Sequence, residues 1–489
     1  MSIPLNDAAL QNLPDGVAGP AYDRSSLTGG ILHVGVGNFH RAHMQVYLDR
    51  LFNLGRDHDF AVVGAGVRPS DAQMRDRLLA QDCLTTVVEL DPSGLSARVI
   101  GSMIDFVAVE PEAIVAAMAS PAIRIVSTTV TEGGYYVDAK TDGFAADHPD
   151  MQADARNLDA PRTVFGMILA ALRRRREAGV PPFTVLSCDN LPENGHVAAR
   201  TVIGLARLQD PTFAEWVAAH VAFPNSMVDC ITPATSDRER QMVQDRFGLL
   251  DSAPVACEPF RQWVLEDNFP QGRPAWEEVG AEFVTNVAQY ELMKLRILNG
   301  GHAAIAYPGA LLGHHFVHDA MADRRIADWL DALTRREIQP TLAPIAGVSY
   351  DAYRELIAER FSNPEVGDTI PRLCLDGSNR QPKFILPTAR QALAEGRRFA
   401  GLALEVALWC RYCAGVDEAG RPIAPNDENW DDLRARASAA KTDPAEFLSN
   451  TLVFGDMGQD LRFADAFGRQ LASLWSNGVE ATLAAYVQD

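Results

Sequence analysis

Four short apolar runs, ILHVGVG (31–37), FAVVGAGV (60–67), IRIVSTTVT (123–131) and FTVLSCDN (183–190), alternate with helical stretches through the first half of the chain. Strands covered on both faces read as nearly continuous apolar runs, and parallel neighbours need a crossover helix between them. The alternation therefore predicts an α/β unit built on a mostly parallel sheet. CLTTVVELDPSGLSARVIGSM interrupts it with two strand-like runs around a Pro-Ser-Gly turn, which predicts an antiparallel hairpin. From about residue 285 the texture changes. VAQYELMKLRILNGGHAAIAYPGALLG predicts a long apolar helix, kinked or ended at Gly300-Gly301, and further helical segments follow with strands nearly absent. The expected division is an α/β domain over residues 1–285 and an all-helical domain over residues 286–489.

Length and charge bound the function. A chain of 489 residues exceeds one compact core, and its hydrophobic share of 47% suffices for two. A formal charge of -20 repels nucleic acid and anionic lipid surfaces. No apolar run reaches the ~18 residues of a membrane span. The opening MSIPLNDAALQNLPDG has neither the basic region nor the apolar core of a signal peptide, so a cytoplasmic protein is expected. Seven thinly spread cysteines suit reduced thiols. The one CxxC, Cys410 to Cys413, reads as helix packing, and His314, His315 and His318 read as a helix end, so no metal site is expected. Without a heptad stripe, the monomer is the default.

The run 31–37 leads straight into GVGNFHRAH. Gly35 and Gly37 supply the GxG of a dinucleotide turn: one lets the chain bend, the other lets backbone approach a pyrophosphate. A helix is expected from about His40, which stands where a third glycine is usual, with its N-terminal amides facing the phosphates. Val36, Asn38, Phe39, His40 and Arg41 thus join Gly35 and Gly37 as candidate cofactor residues of a Rossmann-like domain. An acid ends the second strand of many NAD enzymes; here VGAGVRPSD puts Arg68 near that place, which leaves NAD and NADP both open.

YELMKLRILNGGH carries the chemistry. Glu291 and Lys294 are helical neighbours at i, i+3, with Asn299 and His302 beyond. Burial of a lysine favours its free amine and a role as general base. The bland reading is a solvated Lys-Glu pair, which such spacing alone usually produces. SCDNLPENG places Asn190 at the carboxyl edge of a strand, where open parallel sheets bind ligands, and FPNSMVDCITPAT puts Asp229 in a loop after a strand-like run.

GVGNFHRAH, VTEGGYY, SCDNLPENG, VDCITPAT, KLRILNGGH and RLCLDGSNRQPKF occur in the order seen in the polyol-specific long-chain dehydrogenase (mannitol dehydrogenase) family, which this chain resembles from about residue 31 onward. The resemblance implies metal-independent hydride transfer between a nicotinamide cofactor, NAD or NADP, and a secondary alcohol of a sugar alcohol of the mannitol/fructose type. It implies that Lys294 is the general base, that Asn190 and Asn299 bind the reacting oxygen, that His302 orients substrate and that Glu291 exchanges the proton with solvent. Asp229, Arg372 and Arg380 would hold the other hydroxyls, and Thr131, Glu132 and Gly133 would lie beside the nicotinamide. Cys230 departs from the arginine common in this family, and Arg380 from a frequent lysine; a guanidinium binds two oxygens at once, which points to an altered substrate preference. Two alternatives follow: a hexuronate (fructuronate-type) reductase, for which Arg372 and Arg380 would hold the carboxylate, and a non-catalytic nucleotide-binding sensor. Retention of Lys294, Asn190, Asn299 and His302 together counts against the sensor.

Overall fold

In the computed structural model, which describes residues 2–138, 141 and 143–489, five parallel strands form the centre of the first of two units. They are β1 (Gly29–Val34), β2 (Ala61–Ala65), β3 (Met103–Phe106), β4 (Ile125–Thr128) and β5 (Thr184–Ser187), in the order β3-β2-β1-β4-β5. This is the doubly wound order in which the chain reverses direction across the sheet beside β1 and opens a crevice at the strands' carboxyl ends. Alternate residues feed two cores. Leu32, Val34, Val126 and Val185 pack with Ile168, Leu172 and Val202 on one face, while Ile31, Val62, Ile125 and Leu186 pack with Leu48, Phe52 and Trp263 on the other. Each such side chain contributes roughly 1.5–3 kcal/mol by leaving water.

The strands are shorter than the apolar runs that announce them. The first ends at Val34 because Gly35, at φ +97°, turns the chain away. The hairpin forms as expected, Thr85–Glu89 antiparallel to Ser96–Ile100, but it belongs to a separate four-stranded sheet. The central sheet's edge strand β3, only four residues long and interrupted by Asp105, follows directly after it and had no signal of its own. A third sheet joins Ser226–Asp229 antiparallel to Gln262–Glu266, with Glu282–Val284 alongside.

The two units are Met1–Ala288 and Gln289–Asp489. The second is helical, with no strand among the described residues. Its central helix, Ala400–Cys413, is buried from Gly401 to Cys413, so Cys410 and Cys413 are core side chains. All seven cysteines are free thiols. Among the described residues no three or more His, Cys, Asp or Glu side chains are grouped to hold a metal ion, and no helix is long and apolar enough to cross a membrane.

One expectation fails. The helix carrying KLRILNGGH has no break at Gly300-Gly301: Gly300 is helical (φ -62°, ψ -38°), and Gly300–Leu311 continues regularly. The irregularity lies just upstream, where Lys294–Asn299 widens into a π-helical turn after Ala288–Met293. The glycines serve packing instead, since a Cβ on Gly301 would sit 3.3 Å from the Phe361 ring.

Candidate functional site

At the carboxyl end of β1, Gly35 is required twice over: its φ is +97°, and a Cβ there would stand 2.2 Å from the Thr129 carbonyl. Gly37 is the opposite case. A Cβ on it would meet only the Gly35 carbonyl at 3.8 Å, and one on Gly133 would meet nothing within 4 Å. The two positions present bare, exposed backbone, as close approach of a pyrophosphate requires, so the residues fit a dinucleotide. The first helix begins at Asn38, two residues before the expected His40, and breaks at His43 before Met44–Asn53 resumes.

The side chains of this turn mostly face inward. Arg41 is 1% exposed and donates to the carbonyls of Ala253 and Gly37 and to Asn38 Oδ1. Asn38 donates in turn to the Pro233 carbonyl (3.1 Å) and Thr235 Oγ1 (2.9 Å). Val36 is buried and Phe39 stacks on His43. His40 lies flat on His33, ring centroids 3.4 Å apart, and both are fully enclosed. Burial pushes His33 down to about 3 and His40 well below its usual value, so both rings are neutral. His33 meets Ser127 Oγ at 2.8 Å and Thr129 Oγ1 at 3.0 Å, and Thr129 Oγ1 donates to the Gly35 carbonyl at 2.7 Å. A histidine inside an apolar strand thus ties β1, the glycine turn and the end of β4 together.

Asp189 performs the matching task on the next loop. Its carboxylate accepts from the Val130 and Thr131 amides (3.0 and 2.8 Å) and from the Tyr135 hydroxyl (2.6 Å). Thr131 is held at φ +73°, and it and Gly133 are exposed; the side chain of Glu132 lies outside the described residues. Asn190 follows Asp189 and is exposed, while Asn194 bonds the Asp189 and Ser226 carbonyls, fixing the start of the strand that ends at Asp229. Asp229 is 5% exposed. Its neighbour Cys230 packs with Val87, Ile100, Val255 and Cys257. Arg261 donates to Cys257 Sγ at 3.1 Å and to Glu89 at 2.7 Å. At the end of β2, Asp71 caps the turn by accepting from the Val67 and Arg68 amides, both at 2.9 Å, which leaves the Arg68 side chain exposed.

In the second unit, Lys294 opens the π turn and Asn299 closes it. Since π hydrogen bonds run from i to i+5, these two residues stand one turn apart, and such turns recur at functional sites. Lys294 is 7% exposed; Glu291 and Asn299 are half-buried. His302, on the following turn, stacks on Phe361 at 4.3 Å, and its buried Nε2 has no hydrogen-bond partner among the described residues. Burial, then the charge of Arg372, pushes this imidazole down to about 3, so it is neutral. Arg372 and Arg380 both act on His302, as do Asp368 and Arg360. Arg380 is half-buried and donates to the Leu373 carbonyl at 2.6 Å; Arg372 forms a two-pronged ion pair with Asp368.

In the first unit Gly35, Gly37, Thr131, Gly133 and Asn190 lie in the turns that follow β1, β4 and β5, and in the second the charges of Arg372 and Arg380 act on His302. His33, Asp189 and Asp368 were missed. The only sequence signals were a histidine in an apolar strand and an acid beside Asn190.

The chain matches two family models, the mannitol dehydrogenase Rossmann domain over residues 29–278 and the mannitol dehydrogenase C-terminal domain over residues 286–475. It is 57% identical over 473 residues to mannitol 2-dehydrogenase of Cereibacter sphaeroides, covering 96% of this chain and 99% of the relative. Among solved structures it resembles Pseudomonas fluorescens mannitol 2-dehydrogenase, in a ternary complex with NAD and D-mannitol, with TM-score 0.88, 42% identity and 100% of both chains covered. A substrate-free D-sorbitol dehydrogenase gives TM-score 0.90 at 34% identity, over 98% of this chain and 100% of that one.

Proposed function

The chain belongs to the mannitol dehydrogenase family, and we propose that it is an NAD-dependent polyol dehydrogenase that oxidises a secondary alcohol of a sugar alcohol of the mannitol type to the ketose without a metal ion. One observation carries the reading. A buried lysine and an asparagine stand one π turn apart, followed by a neutral histidine with a nitrogen unpartnered among the described residues, in a chain aligned end to end with a dehydrogenase solved with NAD and D-mannitol.

In this reading residues 1–285 bind the dinucleotide and residues 286–489 bind the substrate and carry the base. The bare backbone at Gly37 and Gly133 takes the cofactor, with Gly35 turning the chain, the backbone of Val36, Asn38, Phe39, His40 and Arg41 completing the turn and Thr131 beside it. Arg68, exposed where the adenosine ribose lies in this fold, keeps NADP as a dinucleotide to assay beside NAD. Bound NAD supplies a nicotinamide carbon that takes up hydride. Lys294, as the free amine, accepts the hydroxyl proton at Nζ, and Glu291 passes it to solvent. The side-chain amides of Asn190 and Asn299 donate to the oxygen as it gains negative charge, a term that grows in the transition state and so speeds the reaction. Neutral His302 uses Nε2 on a neighbouring hydroxyl, and Asp229, Arg372 and Arg380 hold those more distant.

Lys294→Ala tests the base. Positioned acid-base groups contribute roughly 10²–10⁴-fold. Turnover is expected to fall by about that factor while NAD affinity, read by titration calorimetry, stays within about twofold of wild type. Near wild-type turnover in this variant would sink the assignment.

A further inference from the structure

Arg372 reaches the surroundings of His302 with its charge already answered. Its Nε donates to Asp368 Oδ1 at 2.5 Å and its Nη2 to Asp368 Oδ2, so both carboxylate oxygens engage the guanidinium edge. The pair is built in rather than a chance surface contact. Asp368 is only 11% exposed, against 52% for Arg372. Its Oδ1 also accepts the Thr369 amide at 2.8 Å, and its backbone carbonyl accepts the Val317 amide at 2.9 Å. Burial raises the Asp368 carboxyl, but the hydrogen bond and charge of Arg372 more than offset this and hold it below its usual value, so it is ionised.

Without Asp368, Arg372 and Arg380 would act on one neutral imidazole with no carboxylate on the Arg372 fork, a setting that favours an anion. With it, the Arg372 fork is filled by a carboxylate of the protein, and a substrate carboxylate in the same place would meet a like charge. What Arg372 retains is the ability to donate from Nη1 to a neutral hydroxyl.

Resting on the assignment of Arg372 to the substrate site, we propose that Asp368 is a specificity-determining positioning residue: by occupying the Arg372 guanidinium it makes this site select neutral polyols over sugar acids bearing a terminal carboxylate. The reaction compared is the same for both substrates, with a secondary carbinol losing hydride to NAD and its hydroxyl proton to the lysine.

The test measures kcat/KM for D-mannitol and for D-mannonate, which is mannitol with one terminal carbinol oxidised to a carboxylate. Wild type, Asp368→Asn and Asp368→Glu are compared, with melting temperature and NAD affinity followed in parallel. Wild type is expected to prefer mannitol. Asp368→Asn should lower the mannitol-to-mannonate ratio on the order of tenfold, mainly through a lower KM for mannonate, and Asp368→Glu should restore the preference. An unchanged ratio in Asp368→Asn overturns the inference, as does a wild type that uses mannonate as well as mannitol, and both leave the dehydrogenase reading intact. Silence of the wild type with every polyol overturns that reading and this inference with it. Should Asp368→Asn not fold, Asp368→Ser is measured in its place: the same fall in the mannitol-to-mannonate ratio is expected, and an unchanged ratio contradicts the proposal.

Discussion

Glu405 sets a pH limit on the second unit. It is fully buried, receives one hydrogen bond from Gln381 Nε2 at 2.8 Å, and leaves its other oxygen enclosed without a partner among the described residues. Burial pushes its carboxyl up from 4.5 to about 8. The folded chain therefore keeps a proton that the unfolded chain gives up near 4.5, and between those values stability falls as pH rises, by at most about 1.4 kcal/mol per unit. Glu405→Gln keeps the acceptor for Gln381 and removes the titration. The variant is expected to be more stable than wild type at pH 8, with the gap closing towards pH 5, as denaturant titrations at the two pH values will read. A gap independent of pH contradicts this. His33 and His302 titrate with the opposite sign, their neutral buried rings weakening the fold as pH drops below 6.5. At this scale the sequence spoke where chemistry is local. Lys294, Asn299 and His302 fall within nine residues of one helix, whereas His33 acts through Ser127 and Thr129, some 95 positions away, and no short pattern records such a partner.

Loops at the strand ends are positioned by buried side chains. Asp189 holds the 130–135 segment through three hydrogen bonds, and His33 holds the Gly35 turn through Thr129. Asp189→Asn turns one acceptor atom into a donor facing buried donors, at a cost of about 1–3 kcal/mol. The expected outcome is weaker NAD binding, by roughly 5- to 150-fold, with turnover at saturating NAD changed much less. Unaltered affinity in calorimetry contradicts the loop's place in dinucleotide binding. Element type followed from the apolar period: the parallel strands, the hairpin and the long helix all appear where the pattern put them. Their ends did not, because these depend on a glycine dihedral at Gly35 and on the widened turn at Lys294–Asn299, neither of which changes the spacing of apolar residues. Gly300-Gly301 misled for the same reason. Glycine in a helix marks either a break or a close approach, and here the Phe361 ring decides for the latter.

For the molecule as a whole, the two units divide at Ala288–Gln289, and the two family models meet near the same place in the chain. The acidic balance of -20 repels polyanions and is compatible with a small neutral substrate or a cofactor held by local dipoles. What the sequence could not supply was the state of the Arg372 charge, since Asp368 and Arg372 read as any exposed i, i+4 pair until burial and the Val317 contact are known. The central claim is metal-free oxidation of a polyol by NAD. It is tested most directly by absorbance at the reduced-nicotinamide band, with the wild-type protein, NAD or NADP, and mannitol, sorbitol, arabinitol or a hexuronate, with and without chelator. Chelator-resistant formation of NADH from mannitol is the expected result. Turnover that chelator abolishes, or that appears only with the hexuronate, would contradict the account.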